Sequence, residues 1–245
     1  MTMNRLTKTG LLLFMLVAPV FLFLYLRFFG QNHYDLPRYH PVTDSRTGAV
    51  QRAPRADRAW YEPEVDTVFH QVPAFRLRGT DNRWVTNAVA TGRIQVVSFV
   101  PERCEESCRR VLAQINRVLE VFYDNPAVLA LTFTTDADSA ARLRAWVDEY
   151  EVRPERWLFL RGTAAQIDSL LGKGYRFDAP YPAERQRNGK RLPASETFAR
   201  NEKLLLVDKT GVIRGYYDGT DKKDVDRLIL EIRVLNSTYQ QRKNE

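Results

Sequence analysis

The sequence contains few of the residues on which most catalytic and metal sites depend. Of its 245 residues, three are histidine and two are cysteine, and no histidine follows His70. A Ser-His-Asp or Cys-His site would therefore have to take its imidazole from the first third of the chain. There is no H-E-x-x-H, and Gly172-Lys-Gly174 lacks the spacing of a phosphate-binding loop. These absences argue against hydrolases, zinc proteases and P-loop proteins.

Charge and composition exclude further classes. The formal net charge is +7, but basic and acidic residues alternate along the chain, as in residues 142–153. No zinc-knuckle, helix-turn-helix or aromatic-plus-basic RNA-binding pattern is present, so we expect no nucleic-acid partner. The apolar fraction of 44% and the charged fraction of 27% are typical of a folded, water-facing domain.

A long apolar run near the N-terminus is the strongest local signal. Residues 10–26 have no charged residue and Phe28 and Phe29 extend the run, which approaches the roughly 20 residues that span a bilayer. Arg5 and Lys8 precede it, so the positive-inside rule predicts a cytoplasmic N-terminus. The end of the run has only bulky residues and no small-residue cleavage site, which favours a retained anchor over a signal peptide. We expect the domain on the extracytoplasmic side, in the periplasm if the host is bacterial.

These observations divide the chain into four parts. The prediction is a cytoplasmic tail (1–9), a transmembrane anchor (10–29), a linker rich in proline and tyrosine (30–65) and one folded domain (66–240). His33 and His40 lie in the linker, where we interpret them as solvated side chains rather than metal ligands.

Apolar periodicity predicts alternating strands and helices in the domain. A Thr163 to Gln166 capping box starts one helix, and Asp208 to Gly211 form a hairpin turn. This order predicts an α/β fold, a thioredoxin-like mixed sheet flanked by helices. The predicted elements are a hairpin (74–78 and 84–85), a strand (94–100), a helix after the cysteines to about 122, a strand (128–134), a helix (139–152), a strand (157–160), a helix (163–172), two strands (203–207 and 212–217) and a helix (221–235).

The two cysteines lie where a strand feeds a helix. The sequence FVPERCEESC (99–108) gives a C-x-x-x-C with Cys104 and Cys108 at the helix start. A spacing of four brings both sulfurs to one side of a helix, and thiolates are soft ligands that select Cu(I). The same pair also suits disulfide exchange.

Together with WLFLRGT (157–163), GYRF (174–177) and KLLLVDKTGVIRGYYDG (203–219), this motif resembles the Sco/SenC family over about residues 69–235. The resemblance implies a membrane-anchored, thioredoxin-fold protein that assists assembly of the binuclear copper centre of cytochrome c oxidase. It implies Cys104 and Cys108 as copper ligands or as a redox pair, and the oxidase subunit that carries this copper centre as the partner.

The family's histidine ligand has no counterpart here. Its position falls at or beside Arg200, and a protonated guanidinium has no lone pair to offer a metal. His70 is the remaining candidate for a third ligand, although a lone histidine at a strand start is more often structural. The missing imidazole argues against copper as a bound cofactor.

Three functions therefore remain open. The first is a Sco-like accessory protein that handles copper or reduces thiols during oxidase assembly. The second is an extracytoplasmic thiol-disulfide oxidoreductase, with Cys104 as nucleophile and Cys108 as the resolving thiol. The third is a degenerate scaffold in which the cysteines form only a structural disulfide.

Overall fold

The computed structural model describes residues 5–29, 36–54, 63–101, 104, 106–136, 140–177, 186–187, 190–191 and 202–244. The chain divides into two compact units, Met1–Asp35 and Leu36–Glu245.

The first unit contains helix α1 (Arg5–Phe29), which covers the predicted apolar run. Its side chains are largely exposed, as Phe14, Phe21 and Leu16 illustrate. Within the described residues, none of the helices combines the length and the apolar content that a membrane crossing requires. The transmembrane anchor over residues 10–29 is therefore not confirmed.

The second unit is an α/β fold built on a seven-stranded mixed sheet. The strands of this unit are β1 (Arg52–Pro54), β2 (Val65–Thr67), β3 (Arg76–Arg78), β4 (Trp84–Thr86), β5 (Ile94–Phe99), β6 (Val128–Thr135), β7 (Trp157–Gly162), β8 (Gln186–Arg187), β9 (Lys190–Arg191), β10 (Lys203–Val207) and β11 (Ile213–Asp218), and the helices are α2 (Glu106–Val121), α3 (Ala140–Glu149), α4 (Ala164–Ser169) and α5 (Lys222–Asn244). The strand order in the seven-stranded sheet is β11-β10-β5-β6-β7-β3-β4, in which β5, β6 and β7 are parallel and the other pairs are antiparallel.

Both faces of the central strands are buried, which is why apolar side chains lie on both faces of β5. Because side chains alternate along a strand, Val96 enters one core cluster and Val97 the other. The first face of the sheet packs against α2, α3 and α5. The second face packs against α4 and the π-helical turn Leu170–Gly174 that follows it. This is the mixed sheet flanked by helices that the sequence predicts.

Two local predictions rest on hydrogen bonding, and both are confirmed. Thr163 caps α4, since its hydroxyl accepts from the Gln166 N–H while the Gln166 side chain accepts from the Thr163 N–H. The turn between β10 and β11 is held by Asp208, whose Oδ1 accepts from the N–H groups of Thr210 and Val212. Gly211 in that turn has a φ of 85°, a value that a residue without a Cβ adopts readily.

Part of the predicted linker belongs to the folded unit. The Arg214 guanidinium donates to the backbone carbonyls of Leu36 (2.5 Å) and Pro37 (3.0 Å), and it forms a buried ion pair with Asp208 (3.0 Å). Strands β1 and β2 form a small sheet of their own. The Leu36 side chain also packs into the core of the first face, but one buried leucine in a polar segment makes no apolar period from which this order could be predicted.

Candidate functional site

The cysteine pair lies at the carboxyl end of β5. Cys104 follows this strand and Cys108 is the third residue of α2, so both sulfurs lie at the helix start. They form a disulfide with an S–S distance of 2.01 Å and a Cα–Cα distance of 5.4 Å. Cys108 is 0% exposed, whereas Cys104 is only partly buried. Cys104 is therefore the more accessible of the two cysteines.

The backbone before the cysteines is tied to its neighbours. The Val100 N–H donates to the Phe133 carbonyl (2.9 Å), which extends the pairing of β5 with β6 by one residue. One residue later, the Pro101 carbonyl accepts from Arg142 Nη2 of α3 (3.0 Å). Arg142 also lies over the Trp146 ring, 4.7 Å from its centroid. The segment that leads into Cys104 is thus fixed by a neighbouring strand and a neighbouring helix.

Charged groups beside the disulfide are engaged with each other. Arg110 pairs with Glu106 within α2, and Arg109 pairs with Glu149 of α3 at 3.7 Å. All four side chains are largely exposed, so each pair contributes little to stability. Residues 102, 103 and 105 lie outside the described residues.

The two described histidines, His40 and His70, form hydrogen bonds away from the cysteines. His70 Nε2 lies 2.7 Å from the Gly174 carbonyl oxygen and therefore donates to it. His40 Nε2 lies 2.5 Å from the Tyr216 hydroxyl. Since this hydroxyl donates to the Arg176 carbonyl (3.3 Å), the imidazole is the donor in the first bond. Burial lowers the pKa of His40, and Arg176 and His70 lower it further.

The structure does not bring these histidines to the cysteines. Tyr216 belongs to the core of the second face, whereas Cys104 and Cys108 pack in the core of the first face. No group of three histidine, cysteine or acidic side chains that could hold a metal occurs among the described residues. Arg200, at the position of the family histidine, lies outside the described residues. The described donors therefore do not complete a three-ligand copper site.

A family model described as SCO1/SenC matches residues 65–235. The chain belongs to the SCO1/SenC family. This match covers the C-x-x-x-C and the stretches 157–163, 174–177 and 203–219, which carried the resemblance in the sequence. No curated protein sequence matches the chain.

Solved structures similar to this SCO1/SenC chain include three Sco proteins, and the two with TM-scores above 0.5 support its fold. A SCO1/SenC family lipoprotein from Bacillus anthracis is 16% identical with a TM-score of 0.54, over 68% of this chain and 95% of its own. BsSco, a Sco family cytochrome c oxidase assembly protein with a disulfide switch, is 17% identical with a TM-score of 0.52, over 67% and 92%. Arabidopsis thaliana ScoI with copper bound is 19% identical with a TM-score of 0.48, over 69% and 98%.

Sequence reasoning missed one residue at this SCO1/SenC site. Arg142 contacts the backbone three residues before Cys104, although the two partners of that hydrogen bond are 41 positions apart. On a helix, Arg142 looks like any other surface arginine, and only the packing of α3 beside β5 brings it to the cysteine segment. No local pattern in the sequence signals this contact.

Proposed function

We propose that this SCO1/SenC protein carries out thiol-disulfide exchange at Cys104 and Cys108 in support of cytochrome c oxidase copper-centre assembly. The observation that carries the proposal is the disulfide itself, which joins a fully buried cysteine to a partly exposed one at a helix start. Exchange needs only an accessible sulfur and a thiol partner. It therefore does not depend on the missing histidine.

The geometry suggests an order of events. A thiolate of the partner attacks Cys104 Sγ, forming a mixed disulfide while the Cys104–Cys108 bond breaks and its electron pair leaves on the Cys108 sulfur. That sulfur lies in the first turn of α2, where the positive end of the helix dipole stabilises a thiolate. In the reverse direction the Cys108 thiolate attacks Cys104 Sγ and releases the partner's thiolate.

The partner and the location are also part of the proposal. By family membership, the partner is the oxidase subunit that carries the binuclear copper centre. The apolar run after Arg5 and Lys8 supports an extracytoplasmic domain held at a membrane by its N-terminal helix. A disulfide between the two cysteines agrees with an oxidising compartment.

Copper handling is the second candidate, with copper as cargo rather than as a resident cofactor. Family membership and the two soft sulfur donors favour it. It requires reduction of the disulfide and a further donor from outside the described residues. A purely structural disulfide is the third reading, and the chain-entropy model assigns a five-residue loop only about 2 kcal/mol.

The decisive experiment measures the reduction potential and the reactivity of each cysteine in the purified full-length protein. We expect an equilibrium with glutathione at a potential above about −300 mV, the range typical of exchanging rather than structural disulfides. Cys108→Ser should accumulate a mixed disulfide when its Cys104 thiolate attacks a peptide whose cysteine is disulfide-bonded to glutathione, with glutathione thiolate as the leaving group. Cys104→Ser should react far more slowly because its remaining cysteine is buried.

The controls separate the three candidates. A potential well below that range, with no mixed disulfide in Cys108→Ser, would leave only the structural reading. Stoichiometric Cu(I) uptake by the reduced protein, lost in both serine variants, would instead support copper handling.

A further inference from the structure

An exposed tryptophan on the edge of the sheet is in contact with arginine side chains. Trp84 is 51% exposed, and its ring lies 4.6 Å from the Arg76 guanidinium carbon and 4.4 Å from that of Arg78. Arg78 and Arg161 both donate to Asn82, at 3.2 and 2.9 Å. We call Arg76, Arg78, Arg83, Trp84 and Arg161 the arginine-tryptophan patch.

The patch is strongly basic. Its four guanidinium groups face a single carboxylate in the same hairpin, Asp81, which pairs with Arg83 at 3.5 Å. Both partners of that pair are well exposed, so water and salt weaken it. An excess of positive charge around an exposed aromatic ring suits an acidic surface, and tryptophan and arginine are the residues most enriched at binding hot spots.

The patch and the disulfide lie on the same face of the sheet. Leu77 and Val85 pack into the second face, so by alternation Arg76, Arg78 and Trp84 project from the first face. Cys104 packs against the core of that first face. Both features therefore lie on the same side of the sheet.

They also lie at the same end of the strands. Across the sheet, Arg78 of β3 pairs with Arg161 of β7, which pairs with Thr134 of β6. The preceding level joins Leu160, Phe133 and Phe99, and Phe99 is the last residue of β5. This level is the carboxyl end of β5, directly before the cysteine segment. Strands are spaced by about 4.8 Å, so β3 and β4 lie roughly 14 and 19 Å from β5. A typical interface of roughly 800 Å² per partner covers both features.

We propose that the arginine-tryptophan patch docks an acidic face of the thiol-bearing protein that exchanges with Cys104. The inference rests on the proposed exchange function and adds the kind of surface that its partner presents. Electrostatic attraction at the patch raises the encounter rate, and stacking on Trp84 then orients the partner thiol toward Cys104.

The test compares three synthetic peptides that share one cysteine and differ in a ten-residue tail of glutamate, glutamine or lysine. Such a tail extends to about 33 Å, enough to reach the patch from Cys104. The second-order rate of mixed-disulfide formation is measured with the full-length protein at low and high salt. We expect the glutamate peptide to react about tenfold faster than the glutamine peptide at low salt, and high salt to abolish the difference.

Two double variants locate the effect. The variant that combines Arg76→Gln with Arg78→Gln should lose the preference for the glutamate peptide. The single variant Trp84→Ala should lose part of this preference. Arg46→Gln with Arg52→Gln removes the same net charge from exposed positions in and before β1, outside the seven-stranded sheet, and should keep the preference.

Each outcome is informative. A preference that survives in the Arg76/Arg78 variant, or that is absent from the unmodified protein while all three peptides react, overturns the patch proposal. Arginine-dependent binding to phosphatidylserine vesicles without any peptide preference would likewise overturn it by assigning the patch to a lipid surface. A disulfide that reacts with none of the peptides contradicts the proposed exchange function itself.

Discussion

The two faces of the sheet differ in where their sulfur and imidazole groups lie relative to solvent. On the first face, the disulfide reaches the surface through Cys104, and neighbouring ion pairs are exposed. On the second face, His40 is joined to the buried hydroxyl of Tyr216. The sulfurs and the imidazole, which together would suit copper, are separated by the sheet itself.

This difference suggests that the histidines stabilise the fold while the cysteines carry the chemistry. The bonds of His40 and His70 connect the segment before β3 to the chain around residues 174–176 and to β11. The cysteine segment is joined to β6 through Val100 and to α3 through Arg142, and both cysteines pack against the core of the first face. Substitutions on the second face should therefore change stability without changing exchange, and substitutions beside Cys104 should change exchange.

The largest effect is expected for Asp208→Ala. This change leaves the Arg214 guanidinium buried without its carboxylate and removes the acceptor for two N–H groups of the turn. Loss of one partner of a buried pair costs about 3–5 kcal/mol, which urea denaturation measures. Asp81→Ala, at an exposed turn, serves as control and should cost under about 1 kcal/mol. A similar loss in both variants would contradict the assignment.

Tyr216→Phe should have the next largest effect. It removes the hydroxyl that joins His40 to the Arg176 carbonyl in a buried position, and an unsatisfied buried polar group costs about 1–3 kcal/mol. Tyr123→Phe, whose ring is exposed, should be nearly neutral. The rate of exchange at Cys104 should remain unchanged in both variants, and a clear change in Tyr216→Phe would break the separation between the two faces.

Arg142→Ala tests the first face. The change removes a hydrogen bond to Pro101 and a contact with the Trp146 ring, and a hydrogen bond contributes about 1 kcal/mol. Local opening of the cysteine segment should become easier, so reduction by dithiothreitol should be about fivefold faster. Arg144→Ala, exposed on the same helix, should not alter that rate. Equal rates in the two variants would show that Arg142 does not hold the segment.

The smallest effect concerns pH and His40. Its folded-state pKa lies below the ordinary value of 6.5, chiefly because of burial. As the pH is lowered below 6.5, the unfolded chain takes up a proton at His40 that the folded chain does not. The free energy of unfolding therefore decreases as the pH decreases, until the pH is below the folded-state pKa. His40→Asn should flatten this part of the stability curve, since Asn tolerates the positive φ of 61° at this position. An unchanged slope would contradict the role given to His40.

Sequence patterns predict the parts of this fold that repeat a local rule. Alternation and apolar spacing locate β5 and α2, and capping chemistry locates the start of α4. Long-range polar contacts follow no such rule, so the Arg214 contacts with residues 36–37 and the Arg142 contact with Pro101 emerge only from the fold. Helix α5 continues nine residues past its predicted end at Leu235 because the prediction followed apolar periodicity, whereas Gln, Arg and Lys also sustain a helix.

The candidate site also has features that the sequence predicts and features that only the fold reveals. A C-x-x-x-C after a buried strand is enough to predict both cysteines at a helix start. The position of Cys104 at the helix start also leads to the hypothesis that it is the nucleophile, whereas the complete burial of Cys108 depends on how α2 packs against the core. The sequence does not predict the patch, whose arginines and tryptophan come from three strands and from the turn between β3 and β4.

The hydrogen bonds from Arg214 to the backbone carbonyls of Leu36 and Pro37 also affect how the domain responds to force. A pull on the chain ahead of Leu36 passes through two carbonyl hydrogen bonds into β11, at the outer edge of the sheet. Strand β10 then separates that edge from β5 and the cysteine segment. Tension from the N-terminal side is therefore expected to load both this edge and the core cluster that Leu36 shares with Cys108.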